Sequence, residues 1–246
     1  MSQTRQRILA AARRAGVEPQ LRAVQHAVAG RQERRNRRDD EHLQLLLAFR
    51  LAPDSSCIDI GANIGEITEQ IVRYAPAGKH IAYEPLPELA ADLAARFPGV
   101  DVRNAAVSRV VGSAEFTRIR SAHTRSGLGV TGAEGDTETF PVEIQALDVS
   151  LPAGFTPSVI KIDVEGAELD VVAGGLELIK ATRPLVAFEH GSPDGSDLSS
   201  SAELYGLLVR EAGMRLFDLD GAGPLDETTF LDLVRTGARW NFVAHD

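Results

Sequence analysis

From residue 54 onward, short apolar runs alternate with segments whose apolar residues recur every three or four positions. The runs are SCIDI (56–60), HIAYE (80–84), VDVRNAA (100–106), SVIKIDVEG (158–166) and PLVAFEHG (184–191); between them lie EITEQIVRYA, PELAADLAARF, AELDVVAGGLELIK and SSAELYGLLVREAG. Near-continuous apolarity predicts strands covered on both faces, and the helical period predicts amphipathic helices. Their alternation is the pattern of an α/β protein, with helices on both faces of a largely parallel sheet.

Three regions depart from this rhythm. In the middle, strand-like AEFTRI and FPVEIQAL flank a long loop, RSAHTRSGLGVTGAEGDTE, rich in glycine, serine and threonine; loops of such length are generally functional or disordered. Near the C-terminus, MRLFDL and RWNFVAHD read as an antiparallel hairpin at the sheet edge, joined by a polar turn. Before residue 51, helical spacing at 4–29 is broken at Gly16–Pro19, and a further helix runs through LQLLLAF with Asp39 or Asp40 as its N-cap. It stops before Pro53, because the residue preceding a proline is pushed out of the helical region. Residues 1–50 are therefore expected to form a small helical cap, and 51–246 the main domain.

Composition narrows the function. A chain of 246 residues with 43% hydrophobic content buries one substantial core, and no apolar run reaches the length needed to span a bilayer. The expectation is a cytoplasmic protein with no membrane partner. Cys57 is the sole cysteine, so neither an internal disulfide nor a multi-cysteine zinc site is possible, and its place in an apolar strand suggests a packed thiol. A net charge of −9 and 5% aromatic residues argue against a nucleic-acid partner, which needs a basic face and stacking platforms. The local arginine run, GRQERRNRRDDEHL, changes sign at Asp39 and reads as a solvated helix face or a polar lid.

The candidate chemistry starts at CIDIGANIG, where a buried strand ends in Asp59 and breaks into Gly61 and Gly65. In an open α/β sheet the first strand-to-helix turn lies where ligands bind, beyond the carboxyl ends of the strands. The spacing G-x-x-x-G is neither the dinucleotide fingerprint nor a phosphate-cradling loop. The next strand ends in AYEP, which puts Glu84 where it can accept hydrogen bonds from both ribose hydroxyls. A nucleoside fits these features better than a nucleotide.

DIGANIG, AYEP, NAAVS (104–108), IKIDVEGAEL (160–169), RPLVAFEH (183–190) and WNFVA (240–244), in this order, resemble the FkbM family of S-adenosylmethionine-dependent methyltransferases. The resemblance covers roughly 54–246. It implies the Rossmann-like seven-stranded class I methyltransferase sheet, and an O-methyltransferase acting on a hydroxyl of a sugar or secondary metabolite. Carried over by position, it places Asp59, Gly61, Ala62, Asn63 and Gly65 along the methionine end of the cofactor and Glu84 on its ribose. Pro85 and Leu86 would flank the adenine, and Asn104, Ala105 and Ala106 would complete its pocket.

Methyl transfer from a sulfonium is an in-line displacement, helped by alignment and by a base for the acceptor hydroxyl. The candidates follow the fourth and fifth core strands: Asp163, Glu165 and Glu168, then Glu189 and His190. His190, Glu165 and Glu189 are the expected catalytic residues, with His190 suited by its titration range and Asp163 facing the cofactor. A second mechanism, weighed below the first, has Asp163, Glu165 and Glu189 hold a divalent ion such as magnesium. Substrate recognition is expected from the 119–139 loop, with His123, Arg125 and Ser126, and from Arg37–His42. The rival readings are a small-molecule N-methyltransferase and a nucleoside-binding protein without chemistry. The apolar N-terminal helices leave a homodimer open.

Overall fold

The computed structural model describes residues 35–119, 127–128, 137–164, 166–191 and 198–246. The helices expected at 4–29, the loop residues His123, Arg125 and Ser126, and Glu165 lie outside them. The chain divides into two compact units, Met1–His42 and Leu43–Asp246, so residues 43–50 fall with the sheet and not with the N-terminal unit. Residues 35–50 are helical, which puts Asp39 and Asp40 inside the helix and not at its cap.

In chain order the strands of the second unit are β1 (Ser56–Ile60), β2 (His80–Tyr83), β3 (Val100–Arg103), β4 (Ala105–Val107), β5 (Gly112–Ile119), β6 (Gly127–Leu128), β7 (Thr137–Gln145), β8 (Pro157–Ile162), β9 (Leu185–Glu189), β10 (Arg215–Asp218) and β11 (Asn241–His245). Seven of them form the main sheet in the order β10-β11-β9-β8-β1-β2-β3. β1 pairs in parallel with β2 on one side and β8 on the other, with Asp59 opposite Ala82 and Lys161. The strand order reverses between β1 and β8, and that switch point locates the site. This is the Rossmann-like, seven-stranded class I methyltransferase sheet.

The two faces of the sheet pack differently. Ile58, Ile60, Ile160, Ile162, Val186, Phe188 and Phe242 face one cluster that includes Val171, Val172, Ile179, Leu204, Leu208 and Phe230. Cys57, Val159, Ala187 and Val243 face the other, against Leu47, Leu51, Ile71 and Ala75. Burial pushes the Cys57 thiol up to about 12, and the Asp59 carboxylate adds to the shift. The folded protein is therefore expected to leave a disulfide reagent such as DTNB unreacted at pH 8 and to release one equivalent of thiolate after denaturation. Prompt reaction without unfolding would contradict this packing.

Four details depart from the expected elements. The single strand expected at 100–106 is two: β3 ends at Arg103, and after Asn104 the chain crosses into a second sheet, β4-β7-β5-β6. There β5 and β7 pair antiparallel from Gly112↔Ile144 to Ile119↔Thr137, and Phe116, Val142, Ala106 and Leu86 form a small core. Arg103 ties the sheets together, its guanidinium donating to Tyr83 Oη (2.9 Å), Gln145 Oε1 (3.0 Å) and the Ser150 carbonyl (2.8 Å). The helix expected at 167–180 breaks at Gly174–Gly175 into Glu168–Ala173 and Leu176–Thr182, and a Cβ at Gly174 would lie 2.1 Å from the Ser108 carbonyl oxygen, so only glycine fits there.

Helix Ser199–Tyr205 runs on as a π-helix, Gly206–Glu211. The polar turn expected before the last strand contains helix Glu227–Thr236, capped by Asp226, whose carboxylate accepts from Thr229 N at 2.8 Å. As expected, β10 and β11 pair antiparallel at the edge of the sheet, with β11 lying between β10 and β9 and antiparallel to both. Among the described residues no helix is long and apolar enough to cross a membrane.

Candidate active site

The glycine turn after β1 is shaped by the protein itself. Gly61 has φ 76°, and a Cβ there would lie 1.9 Å from the Asp163 carbonyl oxygen. Gly65 has φ 84°, and its Cβ would meet Leu93 Cδ2 at 2.5 Å. Packing against backbone thus excludes a side chain at Gly61, and the left-handed φ disfavours one at Gly65. The amides of Gly61 and Ala62 both donate to the Tyr83 carbonyl, each at 3.0 Å, which binds the turn to the end of β2. The glycines leave the choice between a bare turn and a ligand-bearing one open; the side chains around them bear on it.

Glu84, at the end of β2, is the first of these. It is buried, and Oε2 accepts from Asn63 N at 2.8 Å while Oε1 accepts from Leu86 N at 2.9 Å. Asn104 donates its side-chain amide to the carbonyls of Glu84 and Pro85, both at 2.9 Å, so the residue that parts β3 from β4 also fixes this turn. Burial raises the Glu84 pKa, opposed by the amides of Leu86 and Asn63. A carboxylate has about four lone-pair directions. Two are used here, leaving acceptor capacity beside the exposed Asn63. Ala105 and Ala106 are buried in β4, directly after Asn104.

Asp59 is turned inward. Its Oδ2 accepts from Thr68 Oγ1 at 2.6 Å, tying β1 to helix Glu66–Tyr74, and its buried Oδ1 has no hydrogen-bond partner among the described residues. The nearest opposite charge is Lys161 Nζ, 3.8 Å away. Burial raises the Asp59 pKa against the pull of Lys161 and Thr68. Lys161 donates to Asp163 Oδ2 at 3.1 Å and to the Gly61 carbonyl at 3.4 Å. Burial alone would lower its pKa, but the charges of Asp163 and Asp59 outweigh this and hold it above the ordinary lysine value. Lys161 is therefore favoured in its charged form by its carboxylate neighbours at the switch point. Sequence reasoning passed over it, although a lysine inside an apolar parallel strand is a signal, since buried lysines need partners.

A small cleft open to solvent, about 250 Å³ with that solvent counted, lies at the C-terminal ends of β8 and β9 beside the start of β11. Lys161, Asp163, Glu189 and Asn241 line it together with apolar Leu43, Phe188, Leu219 and Phe242. His190 lies elsewhere. Adjacent residues at a strand end face opposite ways, and His190 is buried, with Nδ1 2.9 Å from Glu168 Oε2 and Nε2 2.8 Å from Ser201 Oγ. Its ring packs against Phe230, with centroids 6.2 Å apart. Both ring nitrogens are engaged, so neither is available to take a proton from an acceptor in this conformation. Glu168 also accepts from Gly166 N at 2.7 Å, which ties the loop after Asp163 to His190. The expectation that Glu168 and His190 share one edge with Asp163 and Glu189 is thus corrected by strand alternation. Among the described residues no group of three His, Cys, Asp or Glu side chains is placed to hold a metal ion.

Comparison with known proteins bears on this geometry. A comparison with curated proteins gives no match. Among solved structures, a methyltransferase FkbM from Methylobacillus flagellatus KT aligns with TM-score 0.51 and 14% identity over 80% of this chain; the chain spans 44% of that protein's length. A precorrin-6y C5,15-methyltransferase from Geobacter metallireducens GS-15 (TM-score 0.40, 14% identity, 71% of this chain and 72% of that one) is more distant. So is a TehB-like methyltransferase from Corynebacterium glutamicum (0.44, 12%, 89% and 96%). At such identities the likeness concerns the fold alone. The model of the methyltransferase FkbM domain, however, matches residues 59–216, from Asp59 in β1 into β10. The chain belongs to the FkbM methyltransferase family.

Proposed function

We propose that the chain is an S-adenosylmethionine-dependent O-methyltransferase whose acceptor is a hydroxyl of a small molecule, a sugar or a glycosylated secondary metabolite. The observation that carries the cofactor is Glu84, a buried carboxylate with acceptor capacity left over, fixed by two backbone amides at the end of β2. A vicinal diol such as a ribose matches an acceptor held in this way. The turn Gly61–Gly65 would lie along the methionine end, with Asp59 and Asp163 behind it, while Pro85 and Asn104–Ala106 would border the base. When bound, S-adenosylmethionine supplies a methyl carbon on positive sulfur.

Oxygen as the acceptor atom follows from the family resemblance; Lys161, held between Asp163 and Asp59, is an N–H donor at the cleft that can stabilise an oxygen as it loses its proton. Glu189 lines the cleft and takes the hydroxyl proton; Asp163 is held by Lys161. The half-buried Leu43 and Leu219 give the cleft an apolar side against which part of an acceptor can pack.

The test combines calorimetry with S-adenosylhomocysteine and transfer of label from methyl-tritiated S-adenosylmethionine to methyl glycosides, free hydroxyl compounds and primary amines. Micromolar binding and label on a hydroxyl acceptor are expected. Label on amines alone would overturn the choice of oxygen, and absence of binding by the folded protein would overturn the cofactor.

A further inference from the structure

Lys161 is one of three lysines in the chain and sits in the central strand β8, at the point where strand order reverses. Its side chain is 11% exposed and reaches both halves of the site. Toward β1 it donates to the Gly61 carbonyl and lies 3.8 Å from Asp59 Oδ1; toward the cleft it donates to Asp163 Oδ2. The same two segments also interlock through their backbones. Asp163 N donates to the Ile60 carbonyl at 3.0 Å, and Gly61 leaves no room for a Cβ against Asp163 O.

We propose that Lys161 is a positioning residue that couples the glycine turn to the cleft, so that the cofactor at the turn and the acceptor beside Asp163 are held in register by one ammonium. This rests on the methyltransferase reading and assigns a role to a residue that no motif singles out. The physical argument is one of spacing. A displacement reaction is sensitive to misalignment of the reacting atoms by about an ångström. Here a single charged group sets the distance between the carbonyl of the cofactor turn and the carboxylate that lines the cleft. If Lys161 holds the turn in the form that binds the cofactor, removing it should weaken cofactor affinity.

The test needs no acceptor. Lysine is labelled with 13C at Cε in the full-length protein, its three signals are assigned with Lys79→Arg and Lys180→Arg, and S-adenosylhomocysteine is added. The Lys161 signal is expected to move while the other two stay. Calorimetry of Lys161→Met is expected to show about tenfold weaker binding, the loss of a charge-assisted hydrogen bond to the turn.

Because Lys161→Met leaves Asp59 buried beside no cation, Asp59→Asn/Lys161→Met is prepared as well. It removes both charges, is expected to fold, and should bind about tenfold more weakly than Asp59→Asn alone, since the link to Gly61 and Asp163 stays broken. Equal affinity of the double variant and Asp59→Asn, or a Lys161 signal that stays fixed while ligand binds, would overturn the coupling and leave the methyltransferase reading intact. No binding of the ligand to wild-type protein would overturn both.

Discussion

Replacing Glu84 by alanine is expected to lower affinity for S-adenosylhomocysteine by at least about 100-fold, through losses that act together. The acceptor for the ribose disappears. The amides of Asn63 and Leu86 also lose their partner, so the turn facing the cofactor and the turn beside the adenine both loosen. Glu84→Gln separates the contributions: its carbonyl can still serve Leu86 N, but its amide nitrogen then confronts the Asn63 amide, donor against donor. Calorimetry should rank wild type above glutamine and glutamine above alanine.

The same carboxylate gives binding a pH dependence whose sign follows from burial. Its pKa in the folded protein is raised, so it takes up a proton at a higher pH than an ordinary glutamate. Protonation removes acceptor capacity for the ribose. Affinity should therefore hold above that pKa and weaken as pH falls through it, before exposed carboxylates begin to titrate. Affinity that stays flat until the ordinary carboxylate range, or equal binding by all three proteins, would remove Glu84 from the site.

The second large effect is expected from Gly61→Ala. An alanine there meets a strained backbone at φ 76° and a carbonyl oxygen 1.9 Å from its Cβ. Neither the turn nor β8 can yield easily, because Asp163 N is bonded to the Ile60 carbonyl and the Gly61 amide to that of Tyr83. A destabilisation of about 4 kcal/mol, lowering Tm by roughly 10 °C in a chain of this size, is expected in thermal unfolding. Gly154→Ala is the control. Its φ of 74° is similar, but nothing lies within 4 Å of the added methyl, so about 1 kcal/mol is expected. Equal losses at the two positions would show that backbone strain alone, and not the contact with Asp163, makes Gly61 necessary.

The fold was legible where the apolar period was strong. Continuous runs such as SCIDI, HIAYE and PLVAFE are buried on both faces of the sheet, and their parallel pairing follows from the helices between them. The crossing at Asn104 was not legible, since one polar residue in an apolar run does not show that the strand on either side joins a different sheet. Helix Glu227–Thr236 was lost in a polar segment because only Phe230 and Val234 are buried in it. Gly174–Gly175 did carry a visible breaker, but helical spacing on both sides masked it.

At the site, strand-end positions did not show which side chains share a face. Glu189 and His190 are adjacent in sequence, and the pleat sends one to the cleft and the other to Glu168 and Ser201. The glycines were informative for a different reason than the one their motif suggests: Gly61 and Gly65 answer to Asp163 and Leu93.

The insertion of β11 between β9 and β10 has a consequence for how the chain acquires its structure. Until residues 241–245 are in place, β9 presents an open edge and β10 has no partner. The sheet therefore cannot grow from one end to the other as the chain emerges during synthesis. β1, β2 and β3 can assemble early around local crossovers, whereas the Phe188–Phe242 stack, with centroids 5.7 Å apart, forms only after β11 threads into the gap. Completion of the core is a late, long-range event, and the period before it is when the bare edge of β9 is open to pairing with another chain.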